Sequence, residues 1–172
     1  SGGGGAGGNR DSFENRKTLS SIKDENMGHS PDGKADWFST KVTFTFLRKE
    51  KEGGPWYTAC ANPDEPCKNR PKVTQSHDGA WICEKCGQQR DSCVRRYIFS
   101  ACITDDTSTV WASLFNEQAE VLLGEGISAD SLYQRCFENG DMDYFEQVFS
   151  KANCQSLILN QSIANILLLP GV

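Results

Sequence analysis

The chain has 172 residues, 37% of them hydrophobic, eight cysteines and a net charge of −5. That length suits one domain with a modest insert and excludes two full-sized cores, while the acidic balance excludes a generally basic nucleic-acid coat. No apolar leader segment opens the sequence, which favours a reducing compartment and free thiols over disulfides.

Residues 1–15 carry six glycines in the first eight positions and read as a flexible linker. Residues 17–27 (KTLSSIKDENM) form a lead-in in which Leu19 and Ile22 pack. From Trp37 to Leu47 the pattern alternates, with Val42, Phe44 and Phe46 on one face and Thr43 and Thr45 on the other, which predicts a strand. After a turn at Glu50–Pro55, Trp56 to Ala59 leads into Cys60 and a cysteine-rich insert. A second long strand is expected at Val94–Ile103, and Asp105–Ser108 turns it into a third at Thr109–Phe115. Asn116 begins a helix with Ala119, Leu122 and Leu123 inward and Gly124 near its end. Helices follow at Ser128–Glu138, stopped by Asn139-Gly140, and at Met142–Ala152, with Tyr144, Phe145, Val148 and Phe149 apolar. The last 21 residues, from Ala152, carry no charge. They are too rich in Asn, Gln and Ser for a membrane span, and a buried strand or an altered terminus is expected.

The densest signal is Cys60, Cys67, Cys83 and Cys86, spaced C-x6-C-x15-C-x2-C. Two pairs of thiolates on two turns supply the tetrahedral geometry of one structural zinc ion. Gly87, directly after the tight pair, permits the positive φ that turns backbone amides towards sulfur. His77 or Cys93 stands as a substitute ligand. A thioredoxin-like redox pair would need a βαβ context, and a zinc deaminase would need a His or Cys two residues before a Glu and a Pro before the CxxC. Neither is present, and four thiolates leave no open position for hydrolysis. An enzyme is therefore not expected. Trp81 and Tyr57 are expected to support the metal loop, with stacking on a base as the alternative for both; Trp37 and Trp111 are expected to lie in the core, and Cys93, Cys102, Cys136 and Cys154 to act as small buried hydrophobes. His29 is given no role.

Charge is unevenly distributed. Between Lys41 and Ser100 there are eleven Lys/Arg and seven Asp/Glu; between Glu117 and Glu146 there are eight acids and one base, Arg135. The first stretch can favour a polyanion, and Arg48, Lys68, Arg70, Lys72 and Arg96 are its candidate phosphate contacts.

Strand, four-cysteine insert, hairpin and helix follow one another in the layout of a five-stranded barrel with metal in a connection. The segments Thr18–Lys23, Trp37-Phe38-Ser39, Phe46–Glu50, Tyr57–Cys60, Cys83–Cys86, Arg96-Tyr97-Ile98, Trp111–Phe115 and Glu117-Gln118-Ala119 make the chain resemble the third, zinc-containing DNA-binding domain of replication protein A large subunits. The resemblance runs from about Arg16 to Leu157. It implies a mainly β protein with helices: an oligonucleotide-binding (OB) barrel over residues 16–157, with a zinc ribbon inserted at about 57–93. It implies sequence-tolerant binding of single-stranded DNA in replication, repair and recombination, a nuclear location, one structural zinc ion, and assembly with two smaller subunits. Phe115 matches a family aromatic that stacks on bases, and Arg95, a DNA-binding candidate, stands where relatives often carry an aromatic; its guanidinium plane can stack as well as pair with a phosphate. Residues 158–172 depart from the family pattern, so the end of the barrel and the assembly helix are expected to be missing or replaced. The competing expectation is a zinc-ribbon protein-interaction module without DNA binding.

Overall fold

The computed structural model describes residues 16–25, 27, 37–162 and 168–169, with the side chains of 37 and of residues beyond 157 excepted. The linker over 1–15, His29 and the side chain of Trp37 therefore lie outside what is described. In chain order the elements are α1 (Leu19–Asp24), β1 (Trp37–Leu47), β2 (Trp56–Cys60), β3 (Thr74–Gln75), β4 (Trp81–Ile82), β5 (Gln89–Arg90), β6 (Cys93–Thr104), β7 (Thr109–Phe115), α2 (Asn116–Leu123), α3 (Ala129–Tyr133), a π-helical turn (Gln134–Glu138), α4 (Met142–Ala152), β8 (Ser156–Ser162) and β9 (Leu168–Leu169). The protein is mainly β with helices. It forms two compact units, one from the residues up to Leu47, Ala101–Ser113 and the segment from Asn153, the other from Arg48–Ser100 and Leu114–Ala152.

In the first unit β1 is flanked by β8, paired from Trp37↔Ser162 to Thr43↔Ser156, and by the end of β6, paired from Thr43↔Thr104 to Leu47↔Ala101. β9 pairs with β7 at Trp111↔Leu169 and Ala112↔Leu168. Part of the uncharged tail thus supplies strands to the sheet. The alternation expected along β1 holds for Val42 and Phe44, each 1% exposed, and then reverses: Leu47 is buried and Phe46 is 47% exposed. The cause is a register shift between Phe44 and Phe46, where an extra residue turns the following side chains to the opposite face. Phe46 meets Trp111 edge-on at 5.8 Å, and Trp111, expected in the core, is half-buried. Cys154 also departs from expectation, being exposed just after α4 with φ 66°.

The turn after β6 is organised by Asp105. Its Oδ1 accepts from the Thr107 and Ser108 amides and the Thr107 hydroxyl, and its Oδ2 accepts from Leu19 N at 2.7 Å. Thr18 caps the other side of the α1 entry, its hydroxyl accepting from Ser21 N. Leu19 and Ile22 are buried, as expected.

In the second unit β2 pairs with the start of β6, from Trp56↔Tyr97 to Cys60↔Cys93, while β3, β4 and β5 form a small separate sheet. Trp56 is 5% exposed and is ringed by Tyr97, Tyr133, Phe137 and Phe145, with centroids 5.3–6.4 Å away. Gly54, at φ 101°, lets the chain pass beneath this indole, since a Cβ there would lie 2.5 Å from the ring. The helix expected at Ser128–Glu138 is α3 continued by the π-helical turn, in which Asn139 N donates to Gln134 O.

Candidate metal centre and basic face

β2 ends at Cys60, and the loop it enters brings four thiols together. The sulfurs of Cys60, Cys67, Cys83 and Cys86 all lie within 4.8 Å of one another, with Cys60–Cys86 at 4.0 Å and Cys67–Cys83 at 3.6 Å. Four sulfurs about 2.3 Å from one tetrahedral ion lie about 3.8 Å apart, so the set fits a metal. Electrostatics points the same way. Burial pushes the Cys67 thiol up to about 12. The Cys86 amide holds Cys83 down at about 7 against its own burial, with smaller help from Cys67 and the Lys85 amide. A divalent cation is the charge that lets all four ionise in one buried cluster.

The loop around this cluster is tied by its backbone. Pro71 O accepts from Cys60 N and Thr58 O from Val73 N, both at 2.9 Å, so residues 71–73 run along the edge of β2 opposite β6. Gly87 N donates to Cys83 O at 2.8 Å with φ 67°, closing the knuckle in the way the sequence implied. Trp81 and Cys93 pack on the cysteine cluster, which supports the structural role expected for the indole. Cys136 is buried, and Cys93 and Cys102 are half-buried.

The sequence-derived DNA candidates all fall in the second unit, and the structure sorts them. Arg70, at φ 52°, turns its guanidinium back into the metal loop: Nη1 donates to Cys60 O at 3.0 Å and Asn62 O at 3.3 Å, while its own carbonyl accepts from the Tyr57 hydroxyl. Arg95 is held by Asp130, which accepts from its backbone N at 3.0 Å and lies 3.4 Å from its Nη1, and the guanidinium covers the Tyr133 ring at 3.4 Å. Sequence reasoning missed this internal partner because Tyr133 and Asp130 lie more than thirty positions downstream. Phe115 is half-buried at the N-cap of α2, and Arg48 and Lys68 are exposed.

Paired residues on neighbouring strands share a face of the sheet. The registers Tyr57↔Arg96, Ala59↔Val94 and Ala59↔Lys72 therefore put Lys72, Tyr57 and Arg96 on one side of the β2 sheet. Trp56 and Tyr97, one residue out of phase, form the core on the other. Lys72 is exposed, Tyr57 and Arg96 are half-exposed, and Arg96 Nη2 lies 2.5 Å from Glu117 Oε1. Two cations flanking an aromatic ring is an arrangement that can hold phosphates on either side of a base.

Comparison with known proteins gives concordant matches. A family model described as the replication factor-A C-terminal domain matches residues 37–165. The chain is 40% identical over 137 residues to a replication protein A 70 kDa DNA-binding subunit of Arabidopsis thaliana, covering 78% of this chain and 15% of that one. It is 37% identical over 153 residues to the 70 kDa DNA-binding subunit of Mus musculus, covering 89% and 22%. A replication protein A heterotrimer bound to single-stranded DNA superposes with a TM-score of 0.68 at 34% identity, over 84% of this chain and 30% of that one. Yeast replication protein A bound to single-stranded DNA gives 0.64 at 32% identity, over 84% and 74%. The chain thus spans under a quarter of the length of these two curated relatives.

Proposed function

The chain belongs to the replication factor-A C-terminal domain family, and from that premise we propose that it is a zinc-supported module that binds single-stranded DNA within a replication protein A complex. Its relatives are named as DNA-binding subunits, and solved relatives are bound to single-stranded DNA. The module acts by binding and not as an enzyme.

One observation of the chain itself carries the reading: Lys72 and Arg96 flank Tyr57 on one side of the β2 sheet. Lysine and arginine there take phosphates, and the ring stacks on a base at about 1–3 kcal/mol, without selecting among bases. Lys68 and Arg48 extend the positive surface, and Phe115 remains a candidate stacking residue. Arg70 and Arg95 contribute by holding the metal loop and the helices in place. In the first unit, the exposed Phe46 packed on Trp111 offers a further aromatic surface to a base.

The metal in this reading is one zinc ion held by Cys60, Cys67, Cys83 and Cys86. Bound there, it supplies structural charge neutralisation and cross-linking. The OB barrel over 16–157, the ribbon at about 57–93, assembly with two smaller subunits and a nuclear location complete the proposal. Titration of the zinc-loaded protein with fluorescent oligo-dT and with a matched duplex at two salt concentrations tests it. Single-strand binding that weakens with salt is expected. A folded, zinc-replete protein that binds neither would leave the interaction-module reading.

A further inference from the structure

The two neighbouring arginines of β6 are both ion-paired to carboxylates from the helices that follow, but in different ways. Arg95 is fixed three times over: Asp130 takes its backbone N–H and its guanidinium, and Tyr133 lies beneath the guanidinium plane. Among the described residues Arg96 has a single ion pair, to Glu117, whose side chain is 69% exposed. Glu117 stands at the start of α2, next to Asn116, whose Oδ1 accepts from Tyr97 N at 3.1 Å. The helix start is therefore anchored to β6, and the carboxylate is held where it meets Arg96.

We infer that Glu117 is a built-in competitor for the phosphate site at Arg96. The carboxylate occupies the cation in the free protein and yields it to a DNA phosphate on binding. A carboxylate and a phosphate oxygen make the same charge-assisted hydrogen bond to a guanidinium, and an exposed ion pair is weak enough to exchange. Glu117 thus weakens binding and flattens its salt dependence. Arg95, whose partners are more extensive, does not exchange. The inference rests on the single-stranded-DNA reading above and adds a residue that tunes it.

The test compares wild type, Glu117→Gln, Glu125→Gln and the double variant Glu117→Gln/Arg96→Gln, each zinc-loaded, titrated with fluorescent oligo-dT across a salt series. Glu125 is exposed just beyond the end of α2, so its variant carries the same change in net charge away from Arg96's ion pair. Glu117→Gln is expected to bind about two- to five-fold tighter at low salt, the range of an exposed ion pair. Its log–log salt slope is expected to steepen by about 0.7, one phosphate contact on a single strand. Glu125→Gln should match wild type, and the double variant should lose the gain. Equal affinity and slope in Glu117→Gln and wild type would overturn the inference while leaving DNA binding intact, as would an equal gain in Glu125→Gln or a gain that survives loss of Arg96. Absence of binding in wild type and Glu117→Gln alike would overturn the DNA reading and this inference together.

Discussion

Removal of the metal should unfold the ribbon selectively. Apart from its cysteines, the buried cluster of the ribbon contains one fully buried aliphatic side chain, Val73, 4% exposed, with Trp81 partly buried against it. Full burial of a valine contributes about 1.5–3 kcal/mol, whereas a structural zinc ion contributes on the order of 10–16 kcal/mol at neutral pH. The metal term is several times larger, so the ribbon has no apolar core able to replace it. Chelation, confirmed by metal analysis, should therefore expose the amides of Cys60 and Val73, which now bond to Pro71 O and Thr58 O. Hydrogen exchange over residues 60–93 should accelerate by orders of magnitude, while exchange around the Trp56 cluster changes less. Affinity for oligo-dT should fall, because Lys72 loses its place beside Ala59. Protected amides at Cys60 and Val73 in fully metal-free protein would refute the reasoning.

Gly54→Ala should destabilise the second unit by about 1–3 kcal/mol, the range of overpacking a filled site, because the new Cβ would lie 2.5 Å from the Trp56 ring. Urea unfolding followed by tryptophan fluorescence measures this, and a cost below about 1 kcal/mol would mean that the indole moves freely. Asp105 gives a pH prediction. Burial raises its pKa, but hydrogen bonds from Leu19 N, the Thr107 hydroxyl and the Thr107 and Ser108 amides outweigh it, so the carboxyl sits below its ordinary 3.8. A depressed acid stabilises the fold above its unfolded value and loses that contribution as pH falls through the folded value. Wild type should thus melt higher than Asp105→Asn near neutrality, and the gap in Tm should close in strong acid; a gap independent of pH would count against the assignment.

The parts of the fold written in local sequence were legible from it. The bounds of β7 and α4 follow from strand alternation and helical spacing, and the clustering of the four cysteines follows from their spacing, because two turns carry the whole constellation. What was not legible depends on partners distant in sequence. The bulge near Thr45 is a feature of the pairing between β1 and β6, and it alone turns Phe46 outward and Leu47 inward. Arg70, Arg95 and Arg96 all look like free surface cations in sequence. Carbonyls of the metal loop, Asp130 with Tyr133, and Glu117 respectively occupy them, and no local pattern encodes those meetings. Cys154 was expected inside because cysteine usually is, but its position after α4, in a left-handed conformation, leaves it outside.

The pairing of Cys60 with Cys93 has a consequence for fidelity of folding. Cys60 is both the last residue of β2 and, in the zinc reading, one of the four cysteines that hold the ion. If β2 slipped by one residue against β6, every side chain on it would change faces. Tyr57 would turn into the aromatic core, Trp56 would turn to water, and the Cys60 sulfur would leave the cluster. An incorrectly registered strand therefore forfeits its metal. Coordination selects among the ways this strand can pair, so the ion that stabilises the loop also certifies which surface of the sheet faces outward.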